Sequence, residues 1–421
     1  MIDFKKIIED FKNCPCGEKH ECSIKDIRIG SGIVKDVGNI LKENGFDKEL
    51  LLVADKDTLK ASDGILESLK DFNLKTYVYD YLRVSKMSDV RFIESLIDKG
   101  AKGVIAVGSG SVHDTCRLAC ANKDTPLCLF ATAPSMDGFA SYSAPIVDGN
   151  FKLTYPAKSP EVIIGDTKIL AKAPTHLKSA GFGDMVSKYI AIIDWRVSHL
   201  ILGESFCEKV CGLTRFATDE IMKLADGVTK DDEKTAGVIF ETLLLTGIAM
   251  SFTKTSRPAS GTEHIQAHYW ECMELLAGKD ITFHGVDVGI STLIISKYYG
   301  ELAKLKKVKC KKEETDWEAV YKAYGELKED VIKLNTPDTI TDGINPKKIE
   351  DNWDKIVEII NSVPNYDEIK SKMLTAGCLT DYKERDLDEK ILNDGFIYHP
   401  YMRRRLSLKR LSNMIDFEKS E

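Results

Sequence analysis

The sequence predicts an α/β fold in two parts: an N-terminal doubly wound parallel sheet, then an all-helical C-terminal part. Three observations predict it. Six short apolar runs lie between Asp26 and Thr167, separated by amphipathic stretches. Those runs lack strict polar alternation, as strands buried on both faces do. After Lys172 prolines thin out, helical periodicity dominates and no convincing buried strand follows. With 421 residues, 43% of them hydrophobic, the chain is long enough for two cores.

The first residues, MIDFKKIIEDFK, are charged throughout and lack the apolar centre of a signal peptide. The next stretch, CPCGEKHEC, puts Cys14, Cys16, His20 and Cys22 within nine residues. Two readings stay open for it: one zinc ion wrapped by these ligands, or a surface loop with spare thiols. Eleven cysteines without a secretion signal fit reduced thiols and a cytoplasmic location. Cys116, Cys120, Cys128 and Cys378 sit in apolar surroundings, where a thiol acts as a small hydrophobe.

The six runs are IRIG (27–30), ELLLVAD (49–55), KTYVYD (75–80), GVIAVG (103–108), PLCLFAT (126–132) and EVIIGD (161–166). Stretches such as IVKDVGNILKENG and DVRFIESLIDKG read as the intervening helices, each closed by a glycine suited to the position after a helix. Strand–helix alternation of this kind argues for an open sheet covered on both faces. SYSAPIVDGNFKLTYP interrupts the pattern as a hairpin, with Asp148–Gly149 as its turn. The boundary falls near Ala171–Pro174, dividing the chain into 1–172 and 173–421, with the ligand cleft between the parts.

GSGSVHD follows the fourth run and opens a helical pattern. Gly108 and Gly110 let the backbone approach a pyrophosphate, and the helix start adds N–H donors. His113 stands where the third glycine of the dinucleotide fingerprint would be, and the loop follows the fourth strand rather than the first. No Lys-Ser/Thr pair follows, so a Walker-type nucleotide site is excluded. What remains is a dinucleotide in another doubly wound fold. Asp55, ending the second run, suits either a ribose 2′-hydroxyl or a helix N-cap, where Asp57 and Thr58 compete.

Composition narrows the partners. The net charge is −7 and no basic stripe is present, which argues against nucleic acid. The longest apolar runs, such as ETLLLTGIAM around Leu244, fall short of a membrane span. The charged stretch near Lys306 reads as a solvated face. The Arg-rich tail, YMRRRLSLKRL, suits a surface helix or a subunit contact.

Three glycine-flanked segments of the helical part carry metal-type ligands: AGFGDMVSKY, SGTEHIQAHYW and FHGVDVG. Asp184, His264 and His284 supply one carboxylate and two imidazoles, enough for a catalytic zinc with open positions. His264 and His268, four apart, share a helix face. Taken singly, a histidine is usually a polar residue in a satisfied niche, and spacing alone does not settle the set.

The chain resembles the iron-alcohol-dehydrogenase and dehydroquinate-synthase-like superfamily, and within it the bacterial type of the sn-glycerol-1-phosphate dehydrogenase family. GSGSVHD (108–114), ATAPSMDGFASYSAP (131–145), SAGFGDMVSKYIAIIDW (179–195), SRPASGTEHIQAHYW (256–270) and FHGVDVG (283–289) carry the resemblance, in the family's order. It implies that Gly108, Ser109, Gly110, Ser111 and Val112 hold the phosphates of NAD(H), or of NADP(H). Thr132, Ser135 and Ser141 then line the nicotinamide side. Asp137 and His268 contact substrate, and Asp184, His264 and His284 bind the metal. Iron-type alcohol dehydrogenases offer another histidine four residues after that aspartate; here Lys188 stands instead. That leaves three ligands, favours zinc or nickel over iron, and offers a cation to a phosphate. Arg257, Lys152 and Lys158 are further phosphate candidates, the two lysines equally readable as exposed hairpin charges.

The implied activity is metal-dependent interconversion of dihydroxyacetone phosphate and sn-glycerol 1-phosphate by a cytoplasmic homo-oligomer. The alternatives are a glycerol dehydrogenase, acting on the unphosphorylated polyol, and a dehydroquinate-synthase-like cyclase, a lyase that borrows NAD transiently. A degenerate binding protein would not keep all three metal-type ligands.

Overall fold

The computed structural model describes residues 2–149 and 151–421. Eight strands follow in chain order: β1 (Asp26–Gly30), β2 (Glu49–Asp55), β3 (Asn73–Tyr79), β4 (Gly103–Gly108), β5 (Leu127–Ala131), β6 (Ser143–Asp148), β7 (Phe151–Pro156) and β8 (Val162–Asp166). Six of them, the six apolar runs, form one parallel sheet in the order β1-β8-β5-β4-β2-β3. The side chains sort by strand period. Leu51, Val53, Val104, Ala106, Leu127 and Leu129 pack on one face with the Met87–Ile97 and Gly110–Asn122 helices. Leu50, Leu52, Ile105, Val107, Cys128 and Phe130 pack on the other with Val37, Leu41, Ile65 and Leu69. Both faces are covered, which is why these strands read as continuous apolar runs. Gly45 (φ +76°) and Gly100 (φ +104°) end their helices in the left-handed conformation that glycine adopts freely.

The chain runs from β2 outward to β3, then crosses back to β4 and on to β5 and β8. The connections after β2 and β4 therefore leave in opposite directions. A crevice opens there, at the carboxyl ends of the strands, where open α/β sheets bind ligands.

β6 and β7 form the expected hairpin. Asp148 pairs with Phe151, so it ends its strand instead of entering the turn. Gly149 follows at φ +63°; residue 150 of the same segment lies outside the described residues.

Beyond Asp166 the described residues contain helices and one isolated bridge, Cys310 with Ile415, but no further strand. The apolar run around Leu244 corrects the expectation made of it. It belongs to a 21-residue helix, Glu233–Thr253, long and apolar enough to cross a membrane by length and composition. That helix is apolar all round because it is the central core helix, with 94% of its apolar window buried. A second correction concerns the first residues. The Phe4–Phe11 helix packs against the helical part, with Phe11 stacked 4.6 Å from Phe252. The sheet's two faces are already covered, so the apolar side of this helix finds its partner across the expected boundary.

Candidate active site

A cleft of about 1450 Å³ opens between the carboxyl edge of the sheet and the helical part. Its two walls are built differently.

The sheet wall is largely backbone. Ser109 caps the Gly110–Asn122 helix without a side-chain bond to it, leaving the first-turn N–H groups free for an anion. Ser109, Gly110, Ser111 and Val112 line the cleft. Gly108 sits just behind, where a Cβ would stand 3.0 Å from that of Val112. His113, at the missing third glycine, is sealed in the core, and burial pushes its pKa down to about 3. Asp55 takes the N-cap role: its Oδ1 accepts the Thr58 N–H at 2.8 Å, and the Thr58 hydroxyl accepts the Asp55 N–H at 3.0 Å. The same carboxylate lines the cleft, so the cap does not remove it from a ribose.

Thr132, Ser135, Asp137 and Ser141 line the middle of the cleft. Thr132 donates its N–H to the Gly108 carbonyl at 2.8 Å, tying this loop to the glycine loop. Arg117, absent from the sequence reading, holds the loop from below. Its buried guanidinium donates to the carbonyls of Gly138, Ser141 and Ser143 and pairs with Asp114. Its only sequence signal is an arginine on the apolar face of a helix.

The helical wall is built from side chains. Asp184 lies in the last turn of the Thr175–Val186 helix, His264 lies in the Thr262–Leu276 helix and His284 opens the His284–Leu302 helix. Glycine lets the first and third approach closely. A Cβ on Gly183 would lie 2.5 Å from the Gly285 carbonyl oxygen, and one on Gly285 would lie 2.0 Å from that of Ala180. The glycines of AGFGD and FHGVDVG thus permit the backbone contact that brings Asp184 to His284. One ligand atom each from Asp184, His264 and His284 lies within 4.8 Å of the others. Asp194, in the KYIAIIDW segment, sets the second helix by accepting the Thr262 N–H at 2.7 Å.

Each imidazole is held by a carboxylate. His264 Nδ1 meets Glu263 at 2.7 Å, and His284 Nδ1 meets Glu271 at 3.0 Å. The other oxygen of Glu271 takes His268 Nδ1 at 2.8 Å and the Lys152 ammonium at 3.0 Å. Carboxylates on Nδ1 leave Nε2 of each ring for a ligand, the usual arrangement behind metal-bound histidines. Burial disfavours the charged form of Glu271, yet Lys152 and the two histidines hold its carboxyl well below the usual range. Burial brings His268 down to about 3, so its ring is neutral. Glu263 and Glu271 were missed in the sequence. Their signal is position alone, one residue before His264 and one turn after His268.

The cations regroup. Lys188 is fully buried behind Asp184, its Nζ 2.6 Å from Asp184 and 2.7 Å from Asp137, and it does not line the cleft. Burial opposes ionising Asp184, but Lys188 and the neighbouring imidazoles keep its carboxyl far below the ordinary range. Lys188 therefore orients the two carboxylates, which corrects its expected role as a phosphate contact. Arg257 is likewise taken, by Glu204, Ser198 and the Leu406 carbonyl. Lys158 pairs with Glu161 and Asp124 at the edge of the sheet. Lys152 does line the cleft, together with Arg403 and Arg405 of the C-terminal tail. Arg405 donates to the Ser260 carbonyl and the Ser256 hydroxyl, both at 2.8 Å, and burial pushes its pKa down to about 10. The tail thus folds back over the site, where a surface helix or subunit contact was expected.

The iron-containing alcohol dehydrogenase family model matches residues 28–174. A glycerol-1-phosphate dehydrogenase [NAD(P)+] of Halalkalibacterium halodurans is 31% identical over 301 residues, 70% of this chain and 75% of that protein. One from Geobacillus thermodenitrificans is 31% identical over 347 residues, covering 79% and 85%. Among solved structures, a sulfoacetaldehyde reductase from Bifidobacterium kashiwanohense in complex with NAD+ superposes with a TM-score of 0.63 at 15% identity. That match covers 94% of this chain and 96% of that one, and carries the fold.

Proposed function

The chain belongs to the glycerol-1-phosphate dehydrogenase family, and from that premise we propose how the cleft interconverts dihydroxyacetone phosphate and sn-glycerol 1-phosphate. It is an NAD(P)-linked oxidoreductase, and its two walls divide the task. One observation carries the reading: a cluster of one carboxylate and two imidazoles opens on the same cleft as a free helix N-terminus.

Asp184, His264 and His284 hold the divalent ion, with Glu263 and Glu271 fixing the rings. Nitrogen and oxygen donors in a three-ligand set with open positions suit zinc, with nickel as the alternative. When bound there, the ion supplies Lewis acidity toward a carbonyl or hydroxyl oxygen. The nicotinamide supplies the hydride chemistry. Everything else is the chain's own work. The first-turn N–H groups after Ser109 hold the dinucleotide phosphates, and Thr132, Ser135 and Ser141 border the nicotinamide. Neutral His268, its Nδ1 proton held by Glu271, presents Nε2 to accept a hydrogen bond from a substrate hydroxyl and so orients it. Asp137, anchored by Lys188, borders the same space. Arg403 and Arg405 supply the charge that a substrate phosphate needs. Those two cations favour the phosphorylated substrate over glycerol.

NADH oxidation with dihydroxyacetone phosphate, and then with dihydroxyacetone, tests the reading before and after chelation and return of metal. The expected result is strongly preferred turnover of the phosphorylated ketone, lost on chelation and restored by zinc or nickel. Preferred turnover of dihydroxyacetone would overturn the substrate, and full activity in chelated protein would overturn the metal.

A further inference from the structure

A second set of soft ligands lies away from the cleft, where the first residues meet the helical part. Cys14, Cys16, His20 and Cys207 each bring a ligand atom within 4.8 Å of the others. Cys14 Sγ is 3.5 Å from Cys207 Sγ, and Cys16 Sγ is 3.1 Å from His20 Nε2. Cys22, the fourth ligand that the local spacing suggested, is not in the group. It packs against the core, and burial pushes its thiol up. Its place is taken by a cysteine 193 residues distant from Cys14.

We propose that these four residues form a structural zinc site, Cys3His, that staples the N-terminal segment to the helical part. Tetrahedral zinc has Zn–S bonds of about 2.3 Å and Zn–N bonds of about 2.0–2.1 Å, so its ligands stand roughly 3.5–3.8 Å apart. Two of the separations, 3.5 and 3.1 Å, lie near that spacing, and the others are within 4.8 Å. His20 is prepared for the role. It is 3% exposed, and its Nδ1 meets the Phe252 carbonyl oxygen at 3.0 Å. A proton on Nδ1 leaves the Nε2 lone pair facing the sulfurs, as a backbone carbonyl does behind many metal-bound histidines. Phe11 and Phe252 flank the ring, each with its centroid 5.7 Å away. Cys207 is the N-cap of the Glu208–Met222 helix, and its Sγ accepts the Val210 N–H at 3.5 Å. Lys209 lies over the Phe11 ring at 4.4 Å, and Arg196 borders the same hollow. The Lys209 charge acts on Cys14 and partly offsets the net negative charge of three thiolates on one divalent ion, whereas Arg196 is paired with Glu208. On binding, the three thiols lose their protons to solvent and no redox step is involved.

The site joins three places far apart in the chain: the residues after the Phe4–Phe11 helix, the start of the Glu208–Met222 helix and the end of the core helix at Phe252. Ser256 and Ser260, which hold Arg405, follow four and eight residues after Phe252. The staple therefore braces the substrate-side loop from behind and touches no reacting atom.

Cobalt tells the two metal sites apart, because only this one has sulfur ligands. The full-length protein, purified and kept under reducing conditions, should hold zinc in excess of one equivalent per chain. After cobalt exchange it should show thiolate-to-cobalt charge-transfer bands. Those bands should survive in His264→Ala, which empties the cleft, and vanish in Cys16→Ser. Cys16 is exposed, so that variant should fold and keep its cleft metal. Its expected losses are one zinc equivalent and a lower unfolding temperature. Cobalt-loaded protein without charge-transfer bands would overturn the proposal. So would a Cys14–Cys207 disulfide in protein made and kept under reducing conditions, since the ligands would then be a redox pair.

Discussion

The two walls of the cleft recognise their ligands by different means. The sheet wall offers main-chain N–H groups, a helix start and small hydroxyl residues, so most of its chemistry survives changes of side chain. The helical wall offers one carboxylate and two imidazoles, each held by a further charged residue, on helices whose backbones touch. The contrast teaches where the enzyme is brittle. A single substitution on the helical side removes a ligand or its support, whereas one on the sheet side trims a contact.

The sharpest break in that comparison is His264→Ala or His284→Ala. Either should lose the cleft metal and about 10³-fold or more in kcat, equivalent to about 4 kcal/mol of transition-state stabilisation. Dinucleotide affinity, measured by NADH fluorescence, should stay within about threefold, because the glycine loop is on the other wall. A parallel collapse of NADH binding would mean that the walls are not separable.

Lys188→Met comes next. It leaves Asp184 and Asp137 buried without their shared cation, a loss of roughly 3–5 kcal/mol for a broken buried pair. Denaturant unfolding should show the loss in the metal-free protein. Activity should fall equally on phosphorylated and unphosphorylated ketone; a loss confined to the phosphorylated one would return Lys188 to phosphate binding.

Arg405→Ala sharpens the substrate side of the helical wall. One charge-assisted hydrogen bond lost is about 1.5–3 kcal/mol, or roughly ten- to a hundredfold in kcat/KM for dihydroxyacetone phosphate. Residual turnover of dihydroxyacetone should barely move. Equal effects on both would make Arg405 a support for the Ser256–Ser260 loop alone.

The smallest effect is expected on the sheet wall. Asp55→Ala should narrow the NADH over NADPH ratio and cost about 1 kcal/mol of stability through the lost N-cap. Paired kcat/KM values with a melting curve separate the two roles. An unchanged cofactor ratio with a lowered melting temperature would leave Asp55 as a cap only.

Legibility in the sequence follows the same division. The six sheet strands could be read because burial on both faces writes itself as unbroken apolar runs, and Gly45 and Gly100 marked helix ends locally. Asp184, His264 and His284 could be listed as metal-type ligands, but nothing in their spacing brings them together. The Gly183–Gly285 contact does that, across about a hundred residues. Lys188 was misread because a spacing of four says that two side chains share a side, not whether that side faces the cleft or the core. Arg403 and Arg405 were missed because the tail returns to Ser256 and Ser260 from far along the chain. Cys207 is illegible for the same reason: it reaches the N-terminal cluster from 193 residues beyond Cys14.

Charge neutrality gives the Lys188 and Glu271 contacts a wider meaning. Asp137, Asp184, Glu263 and Glu271 converge on the helical wall against the ammonium groups of Lys152 and Lys188. With the imidazoles neutral, as ligation requires, these six groups carry a formal surplus of two negative charges on the wall of the cleft. A divalent cation cancels it. Ligand geometry of this kind exists only in the folded chain, so ion binding and folding draw on one free energy. Resistance to unfolding should then rise with the logarithm of free metal concentration, and scarcity of metal would threaten the protein's lifetime as well as its turnover.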